Sequence, residues 1–185
     1  VLVYTVLGGM ISVIITDYIQ FVVLSIGIVL TTFWGIQQLG WANIFETIVQ
    51  EKQEAGFNPF MEGEFGTEYV VWMAFTGLIG CAVWPTAVAR ALAMESTTAV
   101  KRQYRWSSIS FTIRFMIPYF WGICAFVFIV TQAPDLQELF FVVEPGSDAK
   151  PELSALYALP IYLGRLLPAG LIGIISAAMI AAFMS

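Results

Sequence analysis

Residues 8–30 read GGMISVIITDYIQFVVLSIGIVL, a run of membrane-grade apolar residues broken near its middle by Asp17, with Gln20 one turn later. About 20 such residues cross a hydrocarbon core of roughly 30 Å, so the run is a transmembrane helix. A charge at the centre of such a helix costs on the order of 3 kcal/mol or more. At about 100° per residue, Thr5, Gly9, Ser12, Thr16, Asp17, Gln20 and Gly27 fall within a sector of roughly 140°. Tyr18, Phe21 and much of the Val and Ile set fall elsewhere. Asp17 is therefore expected to face protein or water, not lipid. The plainer alternative is a packing seam with a satisfied Asp. An ionisable residue inside a membrane helix is by default a functional candidate.

Composition extends this reading to the whole chain. Of 185 residues, 59% are hydrophobic, 15% aromatic and only 11% charged, and the mean hydropathy is +0.82. Soluble domains carry about 25% charged residues. The chain is read as an all-α integral membrane protein, and as an internal segment of a longer one. No basic patch suits a nucleic acid. There is no His, which removes the commonest metal ligand and general base. Cys81 and Cys124 lie singly in apolar stretches and read as packing residues, not a disulfide. No nucleophile or metal constellation is visible, so no enzyme is expected.

About four spans are long enough to cross a bilayer, at 3–35, 69–93, 107–130 and 161–185. The connections at 36–68 and 131–160 are acidic. The link at 95–106 carries Lys101, Arg102 and Arg105. By the positive-inside rule that link is cytoplasmic and the two long loops are extracellular. Within the loops, WANIFETIVQEK (41–52) reads as a short surface helix, GFNPFMEGEFG (56–66) as turns, and PELSALYAL (151–159) as a second short helix.

Each later span has a chemical feature. Span two contains TGLIGCAVWPTAVAR, in which Pro85 removes a backbone donor just after Gly77 and Gly80. That combination predicts a kinked or discontinuous helix between 76 and 86, a form that exposes backbone groups to a buried substrate or ion. An ordinary proline kink is the alternative. Span three carries Arg114, placed either to snorkel to the inner interface or to turn inward to an anionic group. Span four repeats small residues every fourth position: Ala169, Gly173, Ala177, Ala181 and Ser185, with Ala178 and Ala182 alongside. This is a close-packing face, and carbonyls with Ser hydroxyls also suit a dehydrated Na+.

Taken together, these residues resemble the sodium/solute symporter family. YTVLGGMISVIITDYIQ (4–20) is similar to its Tyr-Thr-x-x-Gly-Gly and Thr-Asp-x-x-Gln signature. WPTAVARALAMESTTAVKR (84–102) resembles the stretch after the broken helix, with Pro five residues before Arg. LLPAGLIGIISAAMIAAFMS (166–185) resembles the helix that ends in Ser. The resemblance implies a leucine-transporter-type inverted-repeat core, of which the four spans are the fifth to eighth helices. The first core helix, half of the sodium site, and a second Ser after Ser185 would lie outside this sequence. It implies a sodium site at the Ala182 carbonyl and the Ser185 hydroxyl, with Asp17 on the ion path. Gly77, Cys81, Trp84 and Pro85 are then candidates to line the substrate. Proline-transporting members carry aromatics at the first two of these positions. Arg114 stands four residues before Pro118, where a sugar-transporting member has a substrate-contacting Lys.

The reading is a multi-pass cell-membrane transporter, coupling Na+ to a small organic solute by alternating access, with no cofactor and no metal other than Na+. Its rivals are a transporter-like sensor region of a signalling protein, and a channel. The identity of the solute is not legible in these residues.

Overall fold

The computed structural model describes residues 2–61, 65–141 and 153–183, and every regular element among them is helical. The helices are α1 (Leu2–Leu39), α2 (Trp41–Lys52), α3 (Gly66–Val83), α4 (Pro85–Leu92), α5 (Thr97–Gln132), α6 (Pro134–Phe140), α7 (Ala158–Leu166) and α8 (Ala169–Phe183). Three are long and apolar enough to cross a membrane: Ile11–Leu39 within α1, then α3 and α5. The Val- and Ile-rich composition of α1 would favour strand on a pleated, half-buried surface. In lipid, an isolated segment satisfies its backbone only as a helix.

The first span differs at both ends from the expected 3–35. Gly9 adopts φ 60°, ψ −161° and kinks α1; that region of backbone space is open essentially to glycine alone. The apolar span begins beyond the kink and continues to Leu39. There Gly40 takes φ 79° and sends its N–H to the Ile36 carbonyl at 2.9 Å, a glycine stop in the left-handed region. The chain turns directly into α2, which occupies the residues expected to form a short helix. Phe45, in the first half of α2, stacks on Phe57, ring centroids 6.1 Å apart, folding the turns that follow back against the helix. Residues 62–64 of the expected turn region lie outside the described residues.

The expected span 69–93 is two helices. Trp84 sits between them in extended conformation, φ −66°, ψ 110°. A residue before proline is pushed out of the α region by the ring, and Pro85 is pre-set for the first turn of α4. The link at 95–106 is largely not a loop. It forms the opening turns of α5, and only Ala93–Ser96 connects the helices. Ser96 Oγ accepts the Ala99 N–H at 3.2 Å, a hydroxyl cap that lets the helix start early and puts Lys101, Arg102 and Arg105 on it. α5 passes through Pro118 without a break.

Within the region expected as a loop from 131 to 160, α6 was not foreseen. It opens on Pro134 and buries Leu136 and Phe140. Asp135, in its first turn, accepts two hydrogen bonds from Arg165 of α7, at 3.1 and 2.8 Å. This pairing holds the Asp135 carboxyl below its usual range. The pair's contribution is thus present above the ordinary carboxylate range and is lost as pH falls through the lowered value. Both partners are exposed, so the effect on stability is slight. Of the second expected short helix, residues 151 and 152 are not described; Ala155–Tyr157 make a 3-10 turn that runs into α7.

The expected span 161–185 is also divided. Leu167 is extended, φ −86°, ψ 142°, immediately before Pro168, and α8 starts afresh at Ala169. The chain forms two compact units, residues 1–44 with 116–185, and residues 45–115. Among the described residues every buried apolar side chain belongs to the first unit. Its centre is Tyr162, 1% exposed, edge-on to Phe128 at 5.6 Å and beside the Cys124 thiol. Trp121 adds an indole bond to Thr32 Oγ1 at 2.9 Å, tying α5 to α1.

Candidate functional site

In the second unit, Gly77 and Cys81 are four residues apart on α3, and Trp84 follows after three more, so the three share one line leading to the break. Cys81 is exposed and the Trp84 indole is 62% exposed. The helix continues through Gly77 and Gly80, so the discontinuity lies at the end of the 76–86 window, at Trp84 and Pro85. At the break the Trp84 carbonyl accepts from both Ala87 and Val88, each at 3.1 Å. Across the short turn, the Tyr104 hydroxyl donates to the Ala87 carbonyl at 3.3 Å, fastening α4 to α5. Arg114 lies ten residues further along α5, roughly 15 Å by helical rise. It is half-buried, with its Nε enclosed.

In the first unit, α1 and α8 pack along a seam. A methyl group added to Gly27 would stand 3.3 Å from Ile175 Cγ1, and one on Gly35 would stand 2.6 Å from Tyr162 Oη. Beside Gly35, the Trp34 indole donates to the Leu166 carbonyl at 3.0 Å. That carbonyl is in the last turn of α7, left without an intrahelical donor because the helix ends at the extended Leu167. As α1 numbers rise from 27 to 35, partner numbers fall from 175 to 166 and 162, so α1 and α8 run antiparallel. The covered line on α1 is Asp17, Gln20, Leu24, Gly27, Thr31, Gly35 and Leu39, each half-buried or buried. Asp17 Oδ1 is enclosed.

The covered face of α8 is not the expected row of small residues. Ile175 and Ala178 are buried, whereas Gly173 and Ala177 are exposed. The larger Ile175 fills the notch left by Gly27, so the small residue needed for close approach comes from α1. Ala182 lies in the last described turn of α8, and Ser185 falls outside the described residues. Thr16 is ruled out as a donor to Asp17, because its hydroxyl bonds the Ser12 and Val13 carbonyls at 3.1 and 2.9 Å.

The candidate residues thus fall into two sets on two units: Asp17 with Ala182, and Gly77, Cys81, Trp84, Pro85 and Arg114. Sequence reasoning missed the second interruption at Leu167, although the pre-proline rule that located Trp84 applies there equally. It also missed the Trp34–Leu166 bond, for which no local signal exists.

Interrupted helices and long apolar spans define an all-α membrane protein. The chain matches the model of the sodium:solute symporter family over residues 1–185, and it belongs to that family. Membership carries sodium-coupled transport of a solute. Neither curated proteins nor solved structures give a match.

Proposed function

We propose that the protein is a multi-pass cell-membrane symporter that moves a small organic solute together with Na+ by alternating access. The observation that carries this reading is the break at Trp84–Pro85 in an otherwise apolar membrane helix. Such a break presents backbone dipoles at membrane depth, where they can replace the hydration of a solute. No covalent step is required. Na+ binding favours one conformational state by its differential affinity, and the membrane potential supplies about 2.3 kcal/mol per charge per 100 mV. The test is uptake by the intact transporter across a panel of amino acids, sugars and carboxylates, with and without Na+. Uptake that ignores Na+ for every solute would overturn the reading.

The sidedness follows from Lys101, Arg102 and Arg105, now the first turns of α5. With Cys81 and Cys124 replaced, Phe60→Cys should label from outside intact cells and Gln103→Cys only from inside. External labelling of both positions would reverse the assignment.

An inward guanidinium at Arg114 invites a bidentate carboxylate, which a lysine cannot reproduce. Arg114→Lys is therefore expected to raise the Michaelis constant for the solute about tenfold, with abundance unchanged. Kinetics identical to the parent's would place the side chain at the interface instead.

A further inference from the structure

The corner between α4 and α5 carries the densest positive charge among the described residues. Arg90 stands in the last turn of α4, and Lys101, Arg102 and Arg105 in the opening turns of α5. All four are exposed, and between Trp84 and Trp106 the only acidic residue is Glu95. The corner is fixed from both sides. Ser96 Oγ caps the start of α5, and the Tyr104 hydroxyl donates to the Ala87 carbonyl at 3.3 Å. Arg90 lies three residues beyond Ala87 toward the corner, and Lys101 three residues before Tyr104, also toward it. Each step is about 4.5 Å of helix, so these two cations stand at one level beside the joint. Lys101 and Arg105 are also a like-charge pair four residues apart, an arrangement that opposes helix formation. Charges that only set sidedness can lie anywhere on a loop. Here they are gathered on helical arms, where they repel one another.

We propose that the α4–α5 corner is a binding surface for the headgroup phosphate of anionic phospholipids, with Arg90, Lys101, Arg102 and Arg105 as its cations. The sidedness proposed above makes this the inner leaflet; the binding itself does not depend on the transport reading. Four basic residues beside a membrane span match the charge of an anionic lipid surface. Three of them are arginines, whose planar forks fit phosphate oxygens, and an anion held among them offsets their mutual repulsion. The corner also lies at the membrane boundary. α5 has 36 residues, about 54 Å of helix, against a hydrocarbon core of roughly 30 Å, so its opening turns reach the headgroup region. Arg102, Trp106, Ile109 and Ile113 fall on one line of α5, at spacings of four, three and four. Trp106, Ile109 and Ile113 are all exposed. Cation, indole and aliphatic residues in that order follow headgroup, interface and hydrocarbon. A lipid therefore fits better than a free phosphate, because its chains cover the apolar line that continues from the cations.

The test counts phospholipid bound to the purified intact transporter in detergent by native mass spectrometry, using phosphatidylglycerol and phosphatidylcholine with identical chains. The parent is expected to bind phosphatidylglycerol about tenfold more tightly. Arg90→Gln leaves three cations to hold the sidedness. It is expected to weaken phosphatidylglycerol about fivefold, the equivalent of one charge at an anionic surface, with phosphatidylcholine unchanged. Lys52→Gln removes a charge of the same sign from α2 and should leave both affinities at the parent value. Added salt should weaken phosphatidylglycerol alone. Should Arg90→Gln fail to insert, Arg102→Gln makes the same test on α5 with the same expected loss. Equal affinity of the parent for the two lipids would overturn the proposal, as would parental affinity for phosphatidylglycerol in Arg90→Gln or Arg102→Gln. Displacement of the lipid by inorganic phosphate at millimolar concentration would overturn it in favour of a site for the free anion. An equal loss in Lys52→Gln would overturn it in favour of net charge alone.

Discussion

Asp17→Asn is expected to raise the Na+ half-saturation of uptake on the order of tenfold, the lower end of what a focused charge contributes to cation capture, while the protein still inserts. Asp17 lies on the covered line of α1 with Oδ1 enclosed. It stands ten residues, roughly 15 Å of helix, before Gly27, where the seam receives Ile175. On the proposed transport reading, a carboxylate held there out of lipid would concentrate cations locally and lower their barrier to passage. Replacement by Asn preserves shape and hydrogen-bonding capacity and removes only the charge. A purely structural Asp would tolerate this change with no effect on ion dependence, and Asp17→Leu would pack acceptably. Wild-type half-saturation together with wild-type turnover in Asp17→Asn would reduce the carboxylate to a packing detail.

Gly35→Ala is expected to destabilise the first unit by about 2 kcal/mol, in the range of overpacking in a well-filled core. The new methyl would stand 2.6 Å from Tyr162 Oη. That hydroxyl cannot simply swing away: Tyr162 is 1% exposed and packed edge-on to Phe128. One of α1 or α7 must shift, and with it the seam that positions α8. Removing the obstacle should relieve the strain, so Gly35→Ala with Tyr162→Phe should be more stable than Gly35→Ala alone. Thermal unfolding of the single and double variants in detergent measures the coupling. Additive losses, with no recovery in the double variant, would show that the close approach is not what the glycine provides.

How much was legible beforehand follows from whether each feature is local or distant in origin. Length and apolarity alone required helices, because an isolated segment in lipid has no other way to satisfy its backbone. The angular clustering around Asp17 was local arithmetic, and the covered line on α1 includes Asp17, Gln20 and Gly27 as that arithmetic required. The break beside Pro85 was equally local, since the proline ring restricts the residue before it whatever surrounds it.

Other features had no local cause. The small residues at 169, 173, 177 and 181 suggested one face of α8 for close packing. The buried face is that of Ile175 and Ala178, because contact depends on the shape of the partner and Gly27 supplies the notch. Helix α6 exists because Leu136 and Phe140 find cover, and a seven-residue peptide with two apolar residues gives no such notice. The basic link at 95–106 became helix because a serine cap and continuous hydrogen bonding outweigh the charge pattern by which it was read as a loop. The sequence by itself determined the class of protein, its family and the protected face of its first membrane helix, all of which rest on composition, motif and periodicity. Only the tertiary structure decided the α1–α8 register, in which Gly27 receives Ile175, because a register is fixed by which distant side chain fills which gap.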